Sequence, residues 1–470
     1  MLLSGALILL STYIVGHWLG GLAVAVLLLG WRLLVTSEGP PVLALAFSYQ
    51  WVQVSIGLFY NALTGQPLDG LDHSDWETMM LLGLGCITAL AIGVAGGLKI
   101  ARRFWPTEED PPVIALSWRT LVIVYGVSIV VVGGVQELAW RIPAFTQAII
   151  GLTFSRFALL FLMTRRLVAA GEWRLIGGLV LVEVALGFTG YFASFREPLV
   201  MVAIATMEAF DRKRAGHWLA VGALIIVLGG SGLLWMSVRG VYRQDYDSEL
   251  FAASRTTRLM RIRELSTSWL RQDSEQLSEN VTGLVDRLWA IYYPALAVAR
   301  VPAVLPHTDG QILRDALIHL VTPRALFPDK PELPSDSEMV RKYSGVYVAG
   351  VEQNTSIAFG YAAESYIDFG VPLMFLPSLV WGVVMGLAYQ WFMANIKHRE
   401  LAIGLVTVVF WLALYLFERS WVKTLGMTVT LFVYLGGLTF LLDRWLMIRT
   451  SREQDVRARI EGPMVGRPNQ

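Results

Sequence analysis

Long apolar runs separated by short polar joints make up most of the chain. Runs close to the roughly 20 residues that a helix needs to cross a bilayer lie at 2–16, 18–35, 41–63, 78–98, 115–137, 143–164, 174–193, 197–210, 217–237, 371–394, 401–418 and 424–446. They predict an all-α polytopic membrane protein with about twelve transmembrane helices. The first two runs admit another division: Gly16, Gly20 and Gly21 around His17 and Trp18 favour a turn, yet 1–34 also reads as one long helix. That stretch has no basic residue ahead of its apolar run and no small-residue cleavage site, so it reads as retained helix rather than as a removed signal peptide.

Lysines and arginines set the orientation, because short loops rich in them stay cytoplasmic. Arg32, then Lys99, Arg102 and Arg103, then Arg165, Arg166 and Arg174, then Arg212, Lys213 and Arg214, then Lys397 and Arg399, and the tail after Arg444 all fall on one side of a twelve-helix alternation. Both termini are expected inside, and the polar stretch 238–370 outside as one large, mainly helical extracytoplasmic insertion. The chain so divides into an N-terminal transmembrane bundle (1–237), that insertion (238–370), C-terminal transmembrane helices (371–446) and a cytoplasmic tail (447–470).

Composition narrows the chemistry. With 55% hydrophobic and 16% charged residues, the chain has too little charge to solvate a globular surface of this size. A net charge of +1, with basic residues scattered at helix ends, offers no surface for nucleic acid. Cys86 is the single cysteine, which excludes an intramolecular disulfide and a thiolate metal cage, and within an apolar run it reads as a packing residue. No His-Glu-x-x-His, Cys-x-x-Cys, carboxylate cage or Walker-type glycine loop occurs, so metal catalysis and nucleotide hydrolysis have no sequence support and no cofactor is expected.

The insertion holds most of the candidate chemistry. Ser254 reads as the cap of a helix through Leu270 with Leu259, Ile262 and Trp269 on one face, the pattern of an interfacial helix. A second helix, 281–298, is expected to break at Pro294, and its Trp289, Tyr292 and Tyr293 form an interfacial belt or stack on sugar rings. Arg196, in Ala193-Ser-Phe-Arg-Glu-Pro198, precedes a helix expected to open at Pro198. A guanidinium beside a helix N-terminus suits a diphosphate; pairing with Glu197 is the other reading. Arg239 and Arg243, four apart, either clamp phosphate bidentately or stop their helix at the interface. Arg324 and Lys330 sit among prolines that stiffen their loop and lower the entropy cost of presenting a cation. Glu364, on a mildly apolar helix over 356–369, is a desolvated carboxyl suited to general base work or to pairing with an arginine, and Asp368 shares its face. His319 and His307 are candidate proton carriers, and Arg156 and Glu183, inside predicted helices, are expected to pair with one another.

Three motifs converge on a family. Ser194-Phe-Arg-Glu-Pro198 opening a helix, Pro323-Arg-Ala-Leu-Phe-Pro-Asp-Lys-Pro331, and Glu364-Ser-Tyr-Ile-Asp-Phe-Gly370 leading into 371–393 resemble the bacterial oligosaccharide repeat-unit polymerases, the Wzy or O-antigen polymerase family, whose plan is shared with the O-antigen ligases. The motifs span 190–395; elsewhere the resemblance is one of hydropathy. It implies a metal-independent, inverting glycosyltransferase of the GT-C type in the bacterial inner membrane. The substrate it implies is an undecaprenyl-diphosphate-linked oligosaccharide, with a chain-length regulator or a flippase as protein partners beside the lipid bilayer. In that picture Arg196, Arg239 and Arg324, helped by Arg243 and Lys330, hold the diphosphate, with Glu364 as base and His319 in reserve. Phe195 and Glu197 stand where the family has small residues. A ligase using the same carrier, or a transporter of lipid-linked sugars, are the competing readings.

Overall fold

The computed structural model describes the chain except for residues 1, 37–38, 66–74, 108–116, 142–145, 191–193, 212, 247–249, 251–252, 270, 323–326, 328, 354 and 461–470, so Arg324 lies outside the described residues. Among the described residues the regular elements are helices. In chain order the first ten are α1 (Leu2–Val15), α2 (Trp18–Leu34), α3 (Val42–Thr64), α4 (Trp76–Phe104), α5 (Trp118–Arg141), α6 (Thr146–Thr153), α7 (Ser155–Ala170), α8 (Trp173–Gly187), α9 (Arg196–Glu208) and α10 (Ala215–Asp245). Six short helices follow: α11 (Arg255–Trp269), α12 (Ser274–Leu288), α13 (Tyr292–Arg300), α14 (Gln311–Val321), α15 (Asp336–Ser344) and α16 (Tyr361–Phe369). The last four are α17 (Phe375–Asn395), α18 (Arg399–Leu414), α19 (Trp421–Thr430) and α20 (Gly437–Ile460), with a π-helical stretch at Leu431–Gly436 joining the final two.

Each of the twelve apolar runs carries helix among its described residues, and seven helices there are long and apolar enough to cross a membrane. The coarse expectation of an all-α membrane protein stands, and the other five runs form shorter helices. The helices α1, α2, α8, α9 and α18 have 14, 17, 15, 13 and 16 residues. At about 1.5 Å per residue the shortest of these covers only ~20 Å of a hydrocarbon core ~30 Å thick. Local chemistry ends two of them early. Gly16 turns the chain at φ +67°, and His17 then caps α2 by accepting the Leu19 N–H at 3.3 Å. Gly187 ends α8 where the chain doubles back, since a Cβ there would meet the Phe195 backbone at 2.7 Å.

The tightest seam joins α4 to α17. A Cβ added to Gly93 would lie 2.2 Å from the Leu379 carbonyl oxygen, and one on Gly97 2.3 Å from that of Val383. From the other side, Gly382 and Gly386 approach the Leu90 and Val94 carbonyl oxygens just as closely, at 2.3 and 2.2 Å. Two facing pairs of glycines spaced by four thus bring backbone against backbone, which gains dispersion contact without any hydrophobic drive from lipid. By contrast α10 is left bare: only 6% of its most apolar stretch is buried, and Leu219, Ile225 and Ile226 are all exposed. Such a surface is suited to lipid tails rather than to water.

The short helices depart from expectation in two places. The second amphipathic helix breaks at 289–291, not at Pro294, which instead occupies the first turn of α13 where its missing N–H costs nothing. The helix expected over 356–369 begins only at Tyr361, because Gly360 adopts φ +90° and ψ 155° immediately before it. The helix over 254–270 appears as α11, with Ser254 Oγ accepting the Thr257 N–H at 3.2 Å. Two of its arginines are tied to neighbouring segments: Arg258 donates to the Leu250 and Thr189 carbonyls, and Arg261 pairs with Asp245 at 2.8 Å. Arg156 and Glu183 pair as expected, at 3.2 Å, and the Tyr125 hydroxyl also donates to Glu183.

Candidate functional site

The segment Tyr415–Trp421, between α18 and α19, joins two clusters of polar side chains. At its first end lies Arg196, the opening residue of α9. Its Nη2 donates to Glu197 Oε1 at 2.8 Å and to the Tyr415 hydroxyl at 2.8 Å, and its Nη1 donates to the Tyr49 hydroxyl at 3.1 Å. The guanidinium lies 4.8 Å from the Tyr415 ring centroid and 5.7 Å from that of Tyr49. Tyr415 is itself stacked on Trp411 at 4.9 Å, which fixes the plane of this aromatic seat. The plainer reading of Arg196 therefore holds, in that Glu197 is its ion-pair partner, and the side chain remains 32% exposed.

A second arginine shares the seat. Arg419 lies 5.4 Å from the Tyr415 ring and donates from Nη1 to the Leu412 carbonyl at 2.6 Å. Burial draws its pKa below the usual arginine range, with Tyr415 opposing the shift and the charge of Arg196 reinforcing it. Its neighbour Glu418 pairs with Arg287 at 3.2 Å. Arg287 in turn stands near Arg239, whose charged neighbours are Arg243 and Arg287, both cations. Since α10 continues to Asp245, Arg239 and Arg243 do lie four apart on one helix, and Arg243 rests 5.9 Å from the Trp235 ring. Arg196 and Arg419 thus share one aromatic seat, and the Arg287–Glu418 pair links that seat to the cations Arg239 and Arg243 on α10, a run of guanidiniums suited to meeting an anion.

At the other end of the segment lies Glu364. It is buried, 5% exposed, and one carboxylate oxygen accepts the Trp421 backbone N–H at 2.7 Å. The Trp421 indole N–H donates to Ser365 Oγ at 2.9 Å, locking the same turn of α16 to the start of α19. Glu364 lines a cavity of about 130 Å³ walled by α14, α15, α16 and α19, together with Asp315, Asp336, Lys342 and Tyr343. Burial pushes its carboxyl pKa up to about 8, the Trp421 N–H pulls the other way, and Asp336 and Asp368 add to the rise while Lys423 opposes it. A carboxyl so placed is balanced between acid and base near neutral pH, which is what proton transfer demands.

The remaining carboxylates around it are committed elsewhere. Asp336 pairs with Lys423 at 2.5 Å, and Ser356 bonds to both of them. Asp368 shares a helix face with Glu364 as expected, but it accepts the Ile312 and Leu313 N–H groups at 3.0 and 2.8 Å and the Thr308 hydroxyl. It is the cap of α14, a positioning group for one wall of the cavity. His319 lies further along α14, and its carbonyl accepts from Lys330 Nζ at 3.1 Å; neither side chain lines the cavity. His307 Nδ1 sits 3.1 and 3.2 Å from the Tyr366 and Ile367 carbonyl oxygens, so it fastens the C-terminal end of α16. Arg324 lies outside the described residues.

The joining segment is held along its length. Gln53 Oε1 accepts the Phe417 N–H at 2.8 Å, Gln50 Nε2 donates to the Leu414 carbonyl, and the Tyr361 hydroxyl donates to Gln50 Oε1 at 2.6 Å. The Phe417 carbonyl presses so close to Gly360 that a Cβ there would lie 2.3 Å away. Six residues of extended chain span at most ~20 Å, which bounds the distance between the backbone at Tyr415 and at Trp421. Tyr49, Tyr415, Arg419, Trp421, Asp336 and Lys423 did not emerge from sequence reasoning. The signal available was the charged pair Glu418-Arg419 between two long apolar runs.

A family described as a domain of unknown function, DUF8712, matches residues 111–395. No curated protein and no solved structure matches the chain. The matched region takes in more than half of the chain, from α5 through α17, with Arg196, Arg239, Arg287 and Glu364 inside it and Arg419 beyond it. The chain therefore belongs to the DUF8712 family.

Proposed function

We propose that this chain is an inner-membrane glycosyltransferase that polymerises undecaprenyl-diphosphate-linked oligosaccharide repeat units. In this reading all twelve apolar helices lie within or dip into the bilayer, both termini are cytoplasmic, and the region 238–370 faces outward. The observation that carries it is a buried carboxyl with a raised pKa, Glu364, at the wall of a cavity and one short segment away from the two guanidiniums, Arg196 and Arg419, that share the Tyr415 ring.

The chemistry follows from those two clusters. A sugar hydroxyl of the acceptor enters the cavity and gives its proton to ionised Glu364 as its oxygen attacks the anomeric carbon of the donor. The bond from that carbon to the diphosphate breaks, the lipid diphosphate leaves with the electron pair, and the arginines hold the charge that develops on it. Attack opposite the leaving group inverts the anomeric configuration. Arg239 and Arg419 are the better placed to meet the diphosphate first, since Arg196 must share its fork with Glu197. Asp315 at the cavity wall accepts from a remaining sugar hydroxyl.

The test is to incubate purified protein with undecaprenyl-diphosphate oligosaccharide and resolve the products by length. Longer glycans on the lipid carrier, absent with Glu364→Gln, are the expected result. Glycan of unchanged length on every substrate offered, with the protein shown to be folded, overturns the reading; transfer to a lipid A acceptor instead identifies a ligase.

A further inference from the structure

The two clusters are tied to one backbone, and that tie has a directional consequence. Tyr415 is the hub of the arginine cluster: its hydroxyl accepts from Arg196 and lies 3.3 Å from Glu197 Oε1, and its ring sits beneath both Arg196 and Arg419. An anion gripped by those two guanidiniums bears on Tyr415 through both contacts. Six residues later Trp421 N–H is the described hydrogen bond on Glu364. Between them, Phe417 is held by Gln53 and abuts Gly360, whose carbonyl accepts the Glu364 N–H at 3.2 Å.

We infer that the segment Tyr415–Trp421 transmits occupancy of the arginine cluster to Glu364: a bound diphosphate immobilises Tyr415 and Arg419, and the stilled segment holds the Trp421 N–H on the carboxylate. Ordering one part of a segment lowers the entropy cost of ordering the rest, so the two events favour one another and do so reciprocally. A hydrogen bond donated to the charged form of a carboxyl favours that form. Donor binding therefore favours the ionised base, so proton abstraction is favoured while the leaving group is held, an order of binding in which donor precedes acceptor. The inference rests on the reading of the arginine cluster as a diphosphate site.

The charged groups facing Glu364 allow the sign to be separated from simple electrostatics. They are Asp336 and Lys342 on α15, Asp315 on α14, Asp368 on α16 and Lys423 on α19. None of them belongs to the segment. A diphosphate acting on Glu364 by charge alone would repel the carboxylate and raise its titration midpoint, whereas tightening of the Trp421 bond lowers it.

Inorganic pyrophosphate is the probe. Its binding is measured by calorimetry, and the infrared carbonyl band of protonated Glu364, assigned by its disappearance in Glu364→Gln, is followed against pH. At saturating pyrophosphate the midpoint is expected to fall by about one pH unit, and Tyr415→Phe, which keeps the ring but removes the hydroxyl, is expected to abolish the fall at saturation. Pyrophosphate that binds while the midpoint stays put or rises overturns the coupling and leaves the proposed function standing. An equal fall in Tyr415→Phe overturns the route through Tyr415. Absence of pyrophosphate binding removes both the coupling and the diphosphate site beneath it.

Discussion

Glu364 has an environment that ties ionisation to burial, and its role can be read from a pH profile. A carboxyl pushed up to about 8 is protonated below that value and ionised above it. A general base works in the ionised form, so at low donor concentration the rate of glycan extension is expected to climb with pH and to level off above about 8, and at saturating donor to level off at a lower pH. Glu364→Gln keeps the shape and removes the base; a fall in kcat of about 10²–10⁴-fold with the pH rise abolished is expected, measured as chain extension across the pH series. At the opposite cluster, Arg419→Ala removes a guanidinium that lies over Tyr415 and is expected to weaken use of the lipid donor about tenfold to a hundredfold, as loss of a charge-assisted hydrogen bond does. The measurement is kcat/KM for the donor, with Arg419→Lys recovering part of the loss because it restores charge but not the planar fork. Glu364 was legible in the sequence because an ionisable residue in an apolar helix is conspicuous. The Arg196 cluster was half legible: the arginine stood out, but Tyr49 and Tyr415, more than 140 positions away on either side, could not be paired with it from spacing. Lys330 and His319 stood out as well, and the structure sets them against one another along α14 rather than at the cavity.

At the scale of elements, two sets of glycines decide where the site sits. Gly360 precedes α16 at φ +90°, in a region of backbone space that L side chains rarely enter, with the Phe417 carbonyl filling the place of a Cβ. Gly360→Ala meets both obstacles at once and is expected to cost about 1–3 kcal/mol, seen as a lower thermal denaturation midpoint together with reduced extension activity. The seam between α4 and α17 is the other. Gly386→Leu on α17 forces a side chain into the Val94 carbonyl and is expected to abolish a monodisperse peak in detergent gel filtration, while Gly96→Leu, on α4 with open space around its Cβ position, is expected to leave the peak unchanged. Helix existence followed from apolar run length throughout. Helix ends followed less well: the turn at Gly16 was expected, but other ends depend on single residues such as Gly187 and on a proline that suits a first turn better than a break.

For the molecule as a whole, the single cysteine gives a direct route to orientation. Cys86 is fully buried, so a membrane-impermeant maleimide is expected to leave the native chain almost unlabelled. On that background Ser274→Cys, at an exposed position of α12, is expected to label in intact spheroplasts, and Arg103→Cys, exposed at the end of α4, only after permeabilisation. Labelling of both from outside contradicts the proposed sidedness. The length of α10 adds a constraint of its own. Its 31 residues extend for about 46 Å, well beyond a hydrocarbon core of ~30 Å, and tilts beyond ~40° are not observed. The surplus stands clear of the lipid as a mast, and Arg239 and Arg243 ride near its top. Under the proposed function and sidedness, a carrier anchored in the outer leaflet meets those two cations before its sugars have been lifted any distance from the membrane.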